Sequence, residues 1–166
     1  MKKTITLILM LVVGFIAHAG NEGAQATPIL PTTVLAEYTV NGGFFAPPNS
    51  PVTRRYQILS DGVAQMVVFY NSDKAPTTSL IKNLDDRELA NIKSYIKTIK
   101  PGDLYDPTPE APGCMDAPSM SYTIYQNNTA IVIAQVEACK EMARQNVGIA
   151  DGRIVQILSE IAQLVH

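Results

Sequence analysis

RRYQILSDGVAQMVVFY, residues 54–70, decides the fold. From Arg54 to Leu59 the residues alternate, with Tyr56 and Ile58 on one face. That period of two is the mark of a strand with one buried face. Asp61-Gly62 follows, a pair whose backbone takes the turn that joins antiparallel strands. Val63 to Tyr70 is apolar on both faces except at Gln65. Such a run predicts a central strand of a sheet.

Upstream, Val34 to Asn41 also alternates: Val34, Ala36, Tyr38 and Val40 share one face, and Glu37, Thr39 and Asn41 the other. This is a half-buried strand. Gly42-Gly43 breaks it, Phe44-Phe45 follows, and Ala46 to Pro51 is a proline-rich loop. Downstream, Asn71 to Ser79 reads as loop and Leu80 to Asn83 as a short edge strand. A helix then begins, with Asp85 as N-cap and Glu88 three residues on. Leu89, Ile92, Ile96 and Ile99 fall on one helical face, and Pro101-Gly102 ends it. Asp103 to Pro118 carries Pro107, Pro109, Pro112 and Pro118 and reads as irregular.

Ser121 to Tyr125 and Thr129 to Val136 are strand-like, joined by the turn pair Asn127-Asn128. Cys139 to Gln145 reads as a short helical turn. Asp151 is placed to cap a last helix whose apolar stripe is Ile154, Ile157, Leu158, Ile161 and Val165. The predicted fold is α+β: a mostly antiparallel β-sheet with two helices packed on one face and one disulfide. Residues 34–166 form its single domain.

The first stretch is read as an address. Met1-Lys2-Lys3 is a positive start, Thr4 to Ile16 is mostly apolar, and Ala17-His18-Ala19 has the form that signal peptidase cuts. At about 1.5 Å per residue the apolar run covers roughly 20 Å, short of the roughly 30 Å hydrocarbon core of a bilayer. Residues 1–19 are thus expected to be a signal peptide and 20–33 a flexible leader. No integral membrane anchor is expected after cleavage, and the location is periplasmic or secreted. Loss of Lys2 and Lys3 moves the net charge from −2 to about −4. That balance offers nothing to nucleic acid, and none is expected as a partner.

Cys114 and Cys139 both survive cleavage. In an oxidising compartment they are expected to form one disulfide across the outer ends of the last hairpin. A bridge over a loop of that length is worth about 3.5 kcal/mol in the chain-entropy model. A redox pair or a metal site needs tighter spacing or more ligands.

The histidines weigh against catalysis. His18 leaves with the signal, and His166 is the last residue. Ser-His or Cys-His catalysis and most catalytic zinc sites need a positioned imidazole. Asp103, Asp106, Glu110 and Asp116 share a loop, but prolines separate them and no calcium-loop pattern is present. Lys93, Lys97 and Lys100 form a solvated helix face. No catalytic residue, metal ligand or cofactor is assigned. Whether the chain is an enzyme stays open, with the weight on binding. The partner-binding candidates are Phe44, Phe45, Pro47 and Pro48. In a strand the two rings point to opposite faces, and prolines restrict a loop before it binds.

Gly42-Gly43-Phe44 after a first strand, Arg55-Tyr56-Gln57-Ile58 running to Asp61-Gly62, the helix over Leu84 to Ile99, Asp116 with Tyr122-Thr123-Ile124, and a closing helix resemble the emfourin-type small inhibitors of thermolysin-like metallopeptidases. The signal peptide, the disulfide, the proline-rich loop and the greater length depart from that pattern. The resemblance implies a similar α+β topology and inhibition of a metallopeptidase, and it carries over no inhibitory residue. The expected function is an exported, non-enzymatic protein-binding module, in its specific form an inhibitor of a secreted or periplasmic hydrolase. A carboxylate-dependent envelope enzyme acting on glycans and a small-ligand carrier are the alternatives.

Overall fold

The computed structural model describes residues 32–42, 46–102, 118–137, 144–145 and 149–165. The hairpin of residues 54–70 is present and longer than its alternation implies: β2 is Pro51–Leu59 and β3 is Val63–Tyr70. Its connection, Ser60 to Gly62, has Gly62 at φ +90°, a conformation that costs a side-chain-bearing residue energy. The Gly62 amide donates to the Leu59 carbonyl at 3.0 Å. Asp61 Oδ1 accepts from the Val63 amide at 3.1 Å.

With β1 (Val34–Asn41) and β4 (Thr77–Asn83), the hairpin makes an antiparallel meander. α1 (Asp86–Thr98) follows, then β5 (Ser119–Gln126) and β6 (Thr129–Glu137). Asn127 and Asn128 join this pair at φ 49° and 63°, the left-handed values of the turn that matches strand twist. β5 pairs antiparallel with β1. β7 (Arg144–Gln145) adds two residues beside β6, and α2 (Ile149–Gln163) closes the chain. The strand order is β4-β3-β2-β1-β5-β6-β7.

Alternation sends Ala36, Ile58, Ala64 and Ile124 to one face. There they form one core with Ile92, Ile96 and Ile99 at α1 and Ile154, Leu158 and Ile161 of α2. Each such side chain contributes about 1.5–3 kcal/mol on burial. Farther along the same face three tyrosines stack, Tyr38 lying 5.6 Å from Tyr56 and 4.5 Å from Tyr122 between ring centres. Burial first, and the neighbouring Tyr122 second, push the Tyr38 phenol up to about 12. Its hydroxyl donates to Met120 Sδ at 2.9 Å. The Tyr122 hydroxyl meets Ser159 Oγ at 3.0 Å and ties β5 to α2.

α1 starts on a complete capping box. The Glu88 amide donates to Asp85 Oδ1 at 2.7 Å, and the Asp85 amide donates to Glu88 Oε2 at 3.0 Å. Lys82 Nζ adds an ion pair to Glu88 Oε1 at 2.8 Å. That Lys82 bond is the largest reason the Glu88 carboxyl titrates below its ordinary value. The benefit holds above the unfolded pKa of Glu88 and fades as pH falls through the lowered one. Asp85→Ala is expected to cost about 1 kcal/mol, read as an earlier urea midpoint at unchanged slope.

Several expectations need correction. β3 is an interior strand, but the middle position belongs to β1. Asp151 lies within the first turn of α2, which begins at Ile149, and is not its N-cap. It is buried, and burial pushes its carboxyl up. Val165 lies beyond the helix and is exposed. Arg144 and Gln145 are extended and pair with β6 where a helical turn was expected. Thr33, at the end of the predicted leader, is tied down: its amide donates to Ser60 Oγ at 3.1 Å, and its carbonyl accepts from the Ser60 amide at 2.8 Å. Lys93 is half-buried, its ammonium donating to the Ser60 carbonyl at 3.0 Å. Cys114 and Cys139 lie outside the described residues, as do the signal segment and the four acids of the 103–118 loop. No helix among the described residues is long and apolar enough to cross a membrane.

Candidate functional site

The alternation that buries Ala36 and Ile58 turns Glu37, Thr39, Arg55, Gln57 and Gln65 to the other face of the sheet. In the described residues neither helix packs there. Register places Glu37 opposite Gln57 and Gln57 opposite Gln65. Their side chains bond across three strands in one direction. Gln65 Nε2 donates to Gln57 Oε1 at 2.9 Å, and Gln57 Nε2 donates to Glu37 Oε2 at 2.6 Å. Thr39 Oγ1 donates to Glu37 Oε1 at 3.0 Å. An ionised carboxylate only accepts, so Glu37 orients both amides. It is 6% exposed, and its charge is held by neutral donors.

Arg55 lies beside this ladder, opposite Thr39 and Val67. Its guanidinium sits 4.7 Å from the centre of the Phe69 ring. Its Nε is buried with no hydrogen-bond partner. The ion pair among the described residues is Lys82 with Glu88, so Arg55 carries a positive charge with no carboxylate against it. Tyr125 completes the group from β5. Burial raises its phenol pKa most, the Glu37 charge adds to the rise, and Arg55 partly offsets it. At the sheet edge Leu80, opposite Gln65, is 62% exposed.

The proline-rich loop lies at one end of these strands. Ser50 turns back on Pro47, its amide and Oγ both donating to the Pro47 carbonyl, at 3.1 and 2.6 Å. Asn49 takes φ 64°. Asn71, just past β3, then holds the turn through three bonds. Its Nδ2 donates to the Ala46 carbonyl at 2.8 Å, its amide to the Ser50 carbonyl at 2.9 Å, and its carbonyl accepts from the Asn49 amide at 3.1 Å. Pro47 and Pro48 are exposed on this fixed turn. Phe44 and Phe45 lie outside the described residues.

Of the four partner-binding candidates, the structure therefore presents Pro47 and Pro48. It adds Arg55 and Phe69, which sequence reasoning passed over. Their signal was available: an arginine at the odd positions of a strand whose even positions are apolar. Among the described residues no three His, Cys, Asp or Glu side chains gather as a metal site would require. What the described arrangement offers is a fixed turn, an unpaired cation on an aromatic ring, and polar groups held in register. Comparison with protein-family models, curated proteins and solved structures finds no match to this chain.

Proposed function

We propose that the protein is an exported, non-enzymatic protein-binding module that inhibits a secreted or periplasmic hydrolase. The observation that carries this reading is the exposed Pro47-Pro48 turn clamped by Asn71. A loop already held in its bound shape loses little entropy on docking, which is how a small rigid protein blocks a cleft. Arg55 on Phe69 supports the same reading, because arginine and aromatic side chains dominate the energetics of protein interfaces. The signal-like start and the resemblance to emfourin-type inhibitors point the same way.

The disulfide belongs to this proposal. β5 and β6 place Ser119 opposite Glu137. Cys114 precedes the first by five residues and Cys139 follows the second by two. The bridge would close the open end of that hairpin, next to the strand end at which β1 leads into the proline turn.

The test is titration of the purified mature protein into secreted hydrolases, a thermolysin-type metallopeptidase first. Stoichiometric loss of peptidase activity is expected. Asn71→Ala, which frees the turn, and Arg55→Gln, which removes the cation, should each weaken inhibition about tenfold, the equivalent of about 1.4 kcal/mol. Full peptidase and hydrolase activity at large molar excess of the protein rejects the reading.

A further inference from the structure

On the helical side of the sheet, β4, α1 and the C-terminal half of α2 enclose a groove of about 340 Å³. That is the lower end of the range for small-molecule sites. Its lining is apolar at Ile92, Ile157, Ile161 and Leu164. Leu164 is 62% exposed at this rim, so an apolar guest would take it out of water.

The polar groups of the rim give the guest a sign. Glu88 is fully engaged, with Lys82 on Oε1 at 2.8 Å and the Asp85 amide on Oε2 at 3.0 Å. Lys82 and Glu88 therefore cancel. Glu160, on α2, receives one neutral hydrogen bond, from Gln156 Nε2 to Oε1 at 2.8 Å. Asn91, on α1, makes no side-chain hydrogen bond among the described residues. Arg153 is engaged over the Tyr95 ring at 5.0 Å and is not part of the lining. The groove thus has an apolar lining, one net negative charge and an unspent amide.

We propose that this groove binds a small amphipathic amine. The alkyl or aryl body lies along Ile157, Ile161 and Leu164, and the ammonium is met by the Glu160 carboxylate and the Asn91 carbonyl oxygen. The site shares no residue with the proline turn or the open sheet face, so it stands or falls separately from hydrolase inhibition.

The test is a titration of isotope-labelled protein with n-octylammonium, followed by amide chemical shifts, with octanoate and octanol as matched probes. Saturable shifts at Ile157, Ile161 and Leu164 are expected with octylammonium. Octanoate should bind about tenfold more weakly, with octanol between them. Glu160→Gln, an exposed change that leaves the core intact, should cost octylammonium about threefold, as an exposed ion pair does, and shrink its margin over octanol. Leu164→Ser should weaken octylammonium and octanol alike. The proposal is overturned if octylammonium gives no saturable shifts in the groove. It is equally overturned if octanoate binds as tightly, or if Glu160→Gln leaves the preference unchanged.

Discussion

Leu158→Ala is expected to lower the unfolding free energy by about 3–4 kcal/mol, within the range for emptying a fully buried leucine site. Leu158 is 0% exposed and sits in α2 where both helices meet the sheet core of Ala36, Ile58 and Ile124. The loss combines the transfer of the missing atoms with the cavity left between elements too well packed to close over it. Against a total stability of about 5–15 kcal/mol the effect is large, and it should appear as a lower denaturant midpoint at unchanged slope. Leu164→Ala, on the same helical segment but exposed, should stay within about 0.5 kcal/mol. Equal costs at the two positions would contradict the described seating of α2.

Glu37→Ala is expected to cost about 2–3 kcal/mol, since it strands two donors, Thr39 Oγ1 and Gln57 Nε2, in a place with little water. Glu37→Gln should cost about 1 kcal/mol, because an amide still accepts one of those bonds. Its nitrogen then faces Gln57 Nε2, so Gln57 has to turn over, and its Nε2 then faces Gln65 Nε2 in turn. The double variant Glu37→Ala with Gln57→Ala should cost less than the sum of its parts, because the second change removes a donor the first has stranded. Strict additivity, measured by denaturant unfolding of the four proteins, would mean the ladder carries no coupling.

The local features of this fold were legible because they depend on neighbours in the chain. Gly62 and the two asparagines at 127–128 occur where positive φ is needed, and Asp85 with Glu88 form the box their spacing announced. Ile92, Ile96 and Ile99 are buried as their spacing requires. Asp151 misled for a physical reason: an acid at the N-cap and one in the first turn both answer the positive end of the helix dipole, so both give one sequence signature. Strand order was not legible. Alternation shows which face of β1 is apolar but not which strand lies beside it, and β5 arrives from a distant part of the chain. For the same reason Arg55 could be placed on a face, while its seat on Phe69 depends on the register between β2 and β3. Pro47 and Pro48 were identified as loop, but the clamp that fixes them is Asn71, outside that loop.

The middle position of β1 has a kinetic consequence. Its partner β2 follows within a short loop, whereas Tyr38 and Met120, joined across β1 and β5, are 82 residues apart. Closing so long a loop is entropically costly and slow, so hairpins form before the sheet is joined. A chain emerging from its N-terminus can complete the β1–β4 meander while β5 is still unmade. Throughout that interval one side of β1 is a bare edge, able to pair with another chain. Glu37, in the middle of that edge, places a charge where such pairing would begin. The strand most enclosed in the finished sheet is therefore the one longest at risk during synthesis, and refolding yield should fall with protein concentration until β5 docks.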